Sequence, residues 1–326
     1  MNREPKYYDS PVILVIGMAG SGKTTLLQRL NAHLCSARKR PYVLNFDPAV
    51  HTVPYPVNID IRDTVNYKEL MKQYQLGPNG AIITSLNLFS TRFDKVLEIV
   101  EKRQQDTDFF LCDTPGQIEI FTWSAAGAVI TEAFSTSFPT LIAFVIDTPR
   151  CTSPITFISN MLYACSIFYK TRLPLILVFN KCDIADFEFA VEWMTNYESF
   201  QDAIEKDTSY MASLAKSLSL TLNEFYQNMN FVDVSAVTGS GMDRFFSKVE
   251  LAVTEFREVY LPELERLKKH KLQKQKELEE DALEKNLGKA ALVFRSKGNC
   301  EDNDIESSCS DSCQSDSDSE IRKKEN

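Results

Sequence analysis

The chain predicts an α/β fold, a mostly parallel sheet covered by helices on both faces and carrying a helical insertion. Three observations predict it. Short runs rich in Val, Ile, Leu and Phe recur at residues 12–16, 42–46, 109–113, 141–147, 175–180 and 231–235. Such runs suit strands buried on both faces, and the longer segments between them carry helical periodicity, as strand-helix-strand crossovers require. With 326 residues, 44% of them hydrophobic, the chain can also bury a full core.

Taken in order, the first run leads straight into GMAGSGKT over residues 17–24, followed by a helical pattern over 25–35. This is the phosphate-binding spacing G-x-x-x-x-G-K-[ST] in its proper strand-loop-helix setting. Gly17, Gly20, Ser21 and Gly22 let backbone N–H groups converge on phosphate oxygens at a helix N-terminus. Lys23 is expected to reach the β- and γ-phosphates, Thr24 to offer a hydroxyl to Mg²⁺, and Thr25 to complete the cradle.

The second run ends in FDPA, which places Asp47 in either an Asp-Pro turn or a site. The third ends in DTPGQIE over 113–119. Asp113 at a strand end can hold Mg²⁺ through water, Gly116 can sense a γ-phosphate through its N–H, and Gln117 can orient an attacking water. The fifth run closes on NKCD over 180–183. There Asp183 can accept from the N1–H and 2-amino group of guanine, donors that adenine lacks. Lys181 can lay its stem along the base, Asn180 belongs to the same motif, and Ala236 after the last run offers an N–H to guanine O6.

Between residues 184 and 230 the interval exceeds a simple crossover. Met211, Leu214, Leu218, Leu222, Phe225 and Met229 predict an amphipathic helix there, packed on its own sheet or facing a partner. A nucleotide-binding P-loop domain is expected over 1–262, followed by a charged helical extension over 263–297 and an acidic, Ser-rich tail over 298–326 that is expected to be disordered. Ser308, Ser315 and Ser317 each precede an acid by three residues, which suits either acidophilic kinases or a merely solubilising tail. Nine acids and three bases from 299 onward put −6 of the net −9 charge on that tail, so the body is nearly balanced. A balanced body has no footprint for direct nucleic-acid binding. The polar N-terminus and the short apolar runs predict neither secretion nor a membrane span. The eight scattered cysteines lack any C-x-x-C pair, which argues against a disulfide framework or zinc site; Cys112 and Cys182 are expected in buried strand ends.

GMAGSGKTT, NFDPAVH, GPNG, DTPGQIE, NKCD and SAV together resemble the GPN-loop GTPase family over roughly the first 262 residues, Gly77-Pro78-Asn79 being its signature. Within it the chain is most similar to the branch associated with RNA polymerase II assembly and nuclear import. The resemblance implies a Mg²⁺-dependent GTPase that binds GTP and GDP. It implies a dimer, with itself or with a paralogous GPN-loop GTPase, in which the GPN loop of one subunit enters the nucleotide site of the other. Asn79 would then meet the phosphates in trans, since no arginine occupies an obvious finger position. Asp47 resembles the aspartate that dimeric relatives aim at the attacking water, and with Gln117 and Glu119 forms a water-positioning set. Glu119 could instead orient Gln117 or cross the dimer interface. The implied clients are RNA polymerase II subunits or their assembly factors, and the implied location is cytoplasmic with shuttling to the nucleus. Asp60, Arg62 and Asp63 stand as loop or interface salt bridges. A nucleotide kinase or ATPase would show an Arg-rich lid and no NKxD; a GTP-binding scaffold or assembly chaperone with negligible turnover would keep every binding motif.

Overall fold

The computed structural model describes residues 7–205, 210–227 and 229–266, with Lys269, Gln273 and Lys274. The chain divides into one compact unit through Glu265 and a second from Arg266. The acidic tail, and all but 263–266, 269, 273 and 274 of the charged extension, lie outside the described residues.

The strands are β1 (Val12–Gly17), β2 (Pro41–Asn45), β3 (Ile59–Asp60), β4 (Phe109–Asp113), β5 (Thr140–Asp147), β6 (Leu175–Asn180) and β7 (Asn230–Asp233). They form one sheet in the order β3-β2-β4-β1-β5-β6-β7, parallel at every pairing. The two-residue edge strand β3 is additional to the six expected runs. Around the sheet lie α1 (Lys23–Ser36), α2 (Ile61–Thr64), α3 (Tyr67–Gln73), α4 (Pro78–Ser90), α5 (Phe93–Arg103), α6 (Ile118–Thr122), α7 (Ala125–Ser137), α8 (Pro154–Thr171), α9 (Glu188–Thr195), α10 (Tyr197–Glu205), α11 (Tyr210–Gln227) and α12 (Met242–Glu255).

Alternation along β1 shows why both faces are covered. Val12, Leu14 and Ile16 join one core with side chains of α4 to α11, whereas Ile13 and Val15 join a second core with Leu26, Leu27 and Leu30 of α1 and Phe245 and Val249 of α12. Strand periodicity thus sends successive residues to opposite helix layers. Among the described residues no helix is long and apolar enough to cross a membrane.

Two expectations are corrected. On α11 the buried stripe is Ala212, Ala215, Ser219, Leu222 and Phe225, while Met211 and Leu214 are exposed. Small side chains in the first half of the stripe let α11 approach α8, which leaves Met211 and Leu214 at the margin. Cys112 is buried in β4, but Cys182 follows β6 and is half-buried. The insertion aromatics pack on their own domain: Phe157 of α8 meets Trp193 and Phe200 at ring-centroid distances of 5.3 and 6.0 Å.

Register brings the carboxyl ends of neighbouring strands to one edge: Asn45 pairs with Asp113, Gly17 with Val145, and Asp147 with Asn180. In a parallel sheet that edge is where ligands bind.

Candidate functional site: a nucleotide and Mg²⁺ site at the carboxyl edge

Gly22 caps α1 at φ 88°, and a side chain there would meet the Asn180 amide nitrogen at 2.6 Å. A side chain at Gly17 would reach the Val145 carbonyl oxygen at 2.4 Å. Only glycine allows these approaches. The Lys23 ammonium donates to the Gly17 and Met18 carbonyls at 2.8 and 3.0 Å. Burial pushes its pKa down, against the pull of Asp113 and Asp47. An anion in the cradle would relieve that penalty. Ser21 Oγ is buried with no hydrogen-bond partner, so the loop holds a spare polar atom as well. Thr25 is exposed in the first turn of α1.

Thr24 and Asp113 meet: the hydroxyl donates to Asp113 Oδ2 at 3.0 Å. Tyr55 donates to the same oxygen at 2.7 Å, while Asp113 Oδ1 is buried without a partner. Burial pushes the Asp113 pKa up despite those two hydrogen bonds. An orphaned carboxylate oxygen beside a hydroxyl is a hard, oxygen-only donor set, so these residues fit Mg²⁺, with Thr24 and Asp113 holding it directly or through water.

At the base end, Asn180 Nδ2 donates to the Ser21 carbonyl at 2.9 Å, and its Oδ1 accepts from Ala236 N–H at 3.2 Å. Ser235 Oγ donates to Asp183 Oδ1 at 2.6 Å. Lys181, at φ 66°, donates to the Gly20 carbonyl and to Asp147 Oδ2, both at 2.8 Å. Base and phosphate motifs are therefore bonded to one another.

A family model described as a conserved hypothetical ATP binding protein matches residues 15–255. GPN-loop GTPase 1 of Dictyostelium discoideum is 59% identical over 263 residues, covering 81% of this chain and 66% of that relative. GPN-loop GTPase 1 of Saccharomyces cerevisiae is 52% identical over 314 residues, covering 92% of this chain and 80% of that relative. The chain belongs to the GPN-loop GTPase family. The apo form of PAB0955, a GTPase from Pyrococcus abyssi, superposes with a TM-score of 0.65 at 24% identity, covering 76% of this chain and 98% of that one, which shows a shared fold. The family description speaks of ATP, yet both relatives are GTPases, and the Asp183–Ser235–Ala236 arrangement suits guanine.

In this GTPase the GPN motif is the start of a helix rather than a free corner. Gly77 is the extended N-cap of α4 and Pro78 its first residue, where a missing N–H goes unneeded. Gly77, Pro78 and Asn79 are all exposed. Near the start of α4, Tyr67 donates to the Pro78 carbonyl at 3.3 Å, and the helix packs against α3 and α7.

Asp47 closes an Asp-Pro turn and also reaches Gly116. Its Oδ1 accepts from Ala49 N–H at 2.9 Å, and its Oδ2 from Gly116 N–H at 3.3 Å. Burial pushes its pKa up, opposed by those two bonds and by Lys23 and Arg62. Gln117 caps α6 without a side-chain capping bond, and Glu119 is turned outward, accepting from Tyr163 at 3.3 Å. The GTPase thus brings Asp47 to Gly116 and sends Glu119 elsewhere. Asp60 and Arg62 form a loop clamp: Arg62 forks onto the Asp60 carboxylate and also donates to the Val50 and His51 carbonyls. Asp60 resists protonation because Arg62 and Asn45 bonds outweigh its burial.

Four residues escaped sequence reasoning: Arg29, Tyr55, Asp147 and Arg150. Asp147 pairs with Lys181 at 2.8 Å and Arg150 at 3.3 Å. The Arg150 guanidinium lies 3.6 to 3.9 Å from where a Gly20 side chain would start, beside the phosphate loop. Asp147 had a signal, since it ends an apolar run as Asp113 and Asn180 do. Arg29 and Tyr55 owe their places to long-range partners, and Arg150 to Asp147 three residues before it and to the nearby phosphate loop.

Proposed function

We propose that this GTPase is a Mg²⁺-dependent, dimeric switch that hydrolyses GTP to GDP and phosphate once a second subunit supplies Asn79. The observation that carries the reading is the split between a buried Asp47 bonded to the half-buried Gly116 and an exposed Asn79 at a rigid helix start. Asp47 and Gln117 would hold the attacking water, with Glu119 available once it leaves Tyr163. Mg²⁺, when bound, would neutralise charge on the β- and γ-phosphates. Asn79 would add a donor where charge develops, the task that other GTPases give to an arginine. The partner is a second copy or a paralogous GPN-loop GTPase.

For clients we propose RNA polymerase II subunits or their assembly factors, met in the cytoplasm and followed to the nucleus. Resemblance to the polymerase-associated branch supports this. Failure of well-folded protein to capture polymerase subunits in any nucleotide state would remove it.

The test of the switch is single-turnover hydrolysis of labelled GTP by wild type and Asn79→Ala across protein concentrations spanning dimer dissociation. Rates that rise with dimer and fall on truncation, with GTP binding preserved, are expected. Concentration-independent rates equal in both proteins would return catalysis to one subunit. No turnover in either would leave a GTP-binding scaffold.

A further inference from the structure

Guanine selection asks for an N–H held at a fixed point, yet Ala236, which offers it, sits in a loop. After β7 the chain runs through Val234, Ser235, Ala236, Val237, Thr238, Gly239, Ser240 and Gly241 before entering α12. Three ties hold this loop from the base motif itself: Cys182 N–H to the Val234 carbonyl, Ser235 Oγ to Asp183, and Ala236 N–H to Asn180 Oδ1. The last of these uses the very N–H that the base needs. A loop whose donor is released to a ligand keeps its aim only if something else fixes it.

Arg29 of α1 does so from 207 residues away. Its Nε–H donates to the Ala236 carbonyl at 2.9 Å, and an Nη2–H donates to the Val237 carbonyl. The same side chain lies 3.5 to 3.6 Å from where a Gly239 side chain would start, and Gly239, at φ +86°, folds back so that its N–H donates to the Ser235 carbonyl at 2.8 Å. A planar guanidinium that grips two successive carbonyls fixes the peptide planes between them, which a single donor cannot do. The helix that carries Arg29 also carries Lys23 and Thr24 in its first turn, so one rigid rod sets both the phosphate and the base ends.

We propose that Arg29 is a positioning residue for base selection: by holding the Ala236 and Val237 carbonyls it aims the Ala236 N–H at guanine O6. The proposal rests on the guanine reading of Asp183 and Ala236 given above. It makes a claim about one atom of the base, which separates it from a general structural role. Asp183 reads the N1–H and the 2-amino group, so Arg29 should matter for the 6-position alone.

The experiment is competition binding of full-length protein with GDP, inosine diphosphate and 6-thio-GDP in Mg²⁺ buffer. Inosine diphosphate lacks the 2-amino group; 6-thio-GDP keeps it but offers sulfur, a weaker acceptor, at position 6. Wild type should prefer GDP to both. Arg29→Ala should weaken GDP about fivefold, as loss of one aimed hydrogen bond does, and weaken 6-thio-GDP far less. The GDP to 6-thio-GDP ratio then falls toward one while the GDP to inosine diphosphate ratio holds. Asp183→Ala should do the reverse, and Arg29→Lys, which keeps the charge but not the planar fork, should restore part of the lost ratio. Equal weakening of all three nucleotides by Arg29→Ala, or unchanged ratios, would overturn the role of Arg29 while leaving the guanine reading intact. A wild type indifferent to both base changes would overturn that reading and this inference with it.

Discussion

The base end and the water end of the site lie at one sheet edge, yet they are built differently. At the base end nearly every polar group has a fixed protein partner: Asn180 to Ser21 and Ala236, Asp183 to Ser235, Lys181 to Gly20 and Asp147, Arg29 to Ala236 and Val237. At the water end Asp47 reaches Gly116, but Glu119 faces Tyr163 and Asn79 faces solvent. On the proposed reading, selection among nucleotides is preorganised in one chain, while the chemistry waits on rearrangement and on a partner. Such a division lets a switch hold its nucleotide tightly and still delay turnover.

The largest break in this contrast should come from Asp183→Ala. With the carboxylate gone, guanine loses the acceptor that adenine cannot use. The preference for GTP over ATP is expected to fall on the order of 10³-fold in competition binding, because a site built to hydrogen-bond a ligand's N–H groups discriminates far more strongly than shape. Single-turnover hydrolysis of saturating GTP should change much less. If both fell together, the two ends would be one cooperative unit.

Asn79→Ala should do the opposite. Loss of one donor at developing charge slows chemistry by about 10²–10³-fold in comparable sites. GTP affinity of the single chain should stay put, since Asn79 is exposed and remote in sequence from every motif that binds the base. A matching loss of affinity would place the GPN helix in nucleotide binding instead.

How much of this was legible in the chain depends on how local each feature is. The phosphate loop, DTPG and NKCD could be read because each is contiguous and closes an apolar run, and the runs themselves were visible because parallel strands are buried on both faces. β3 has only two residues, Ile59 and Asp60, and so leaves no run to see. On α11 Leu222 and Phe225 are buried as the pattern says, but the rest of the buried stripe is Ala212, Ala215 and Ser219, small residues chosen by close approach rather than by hydrophobicity, which periodicity of large side chains cannot show. Gly77-Pro78 reads equally well as a turn or as a helix cap, and only the helix that follows decides. Arg29 and Tyr55 find partners 207 and 58 residues away, a relation that spacing cannot show.

Asp47→Asn sharpens the water end further. The amide keeps the size of the carboxylate but cannot accept a proton from water, and hydrolysis is expected to slow about 10²-fold. Burial raises the Asp47 pKa, so wild-type hydrolysis should decline on acidification at a higher pH than an ordinary carboxylate would give, and the variant should lose that limb. Stability has the opposite sign. Between the unfolded and the raised folded pKa the native state binds the extra proton, so stability falls as pH rises through that window, and at neutral pH the ionised Asp47 is a net cost. The variant is thus expected to melt higher than wild type near pH 7, a gain measurable by thermal denaturation. A lower melting temperature would mean that the bonds from Ala49 and Gly116 outweigh burial.

The smallest effect belongs to Tyr55→Phe, which tests whether the metal side behaves like the wired base end or the loose water end. The Tyr55 hydroxyl donates to Asp113 Oδ2, the oxygen that Thr24 also uses, in a site where burial already opposes the carboxylate charge. Removing that donor leaves the ring in place but withdraws one of two hydrogen bonds from a buried anion, about 1–3 kcal/mol of stability if nothing replaces it. Mg²⁺ can replace it, because a cation satisfies the same oxygens. The expected signature is a melting temperature that drops in EDTA and recovers when GDP and Mg²⁺ are added, with a Mg²⁺ requirement for GDP retention shifted only a few-fold. Were the drop to persist unchanged in saturating Mg²⁺ and GDP, Tyr55 would be holding the 47–58 segment rather than Asp113, and its place would be with the Asp60–Arg62 clamp.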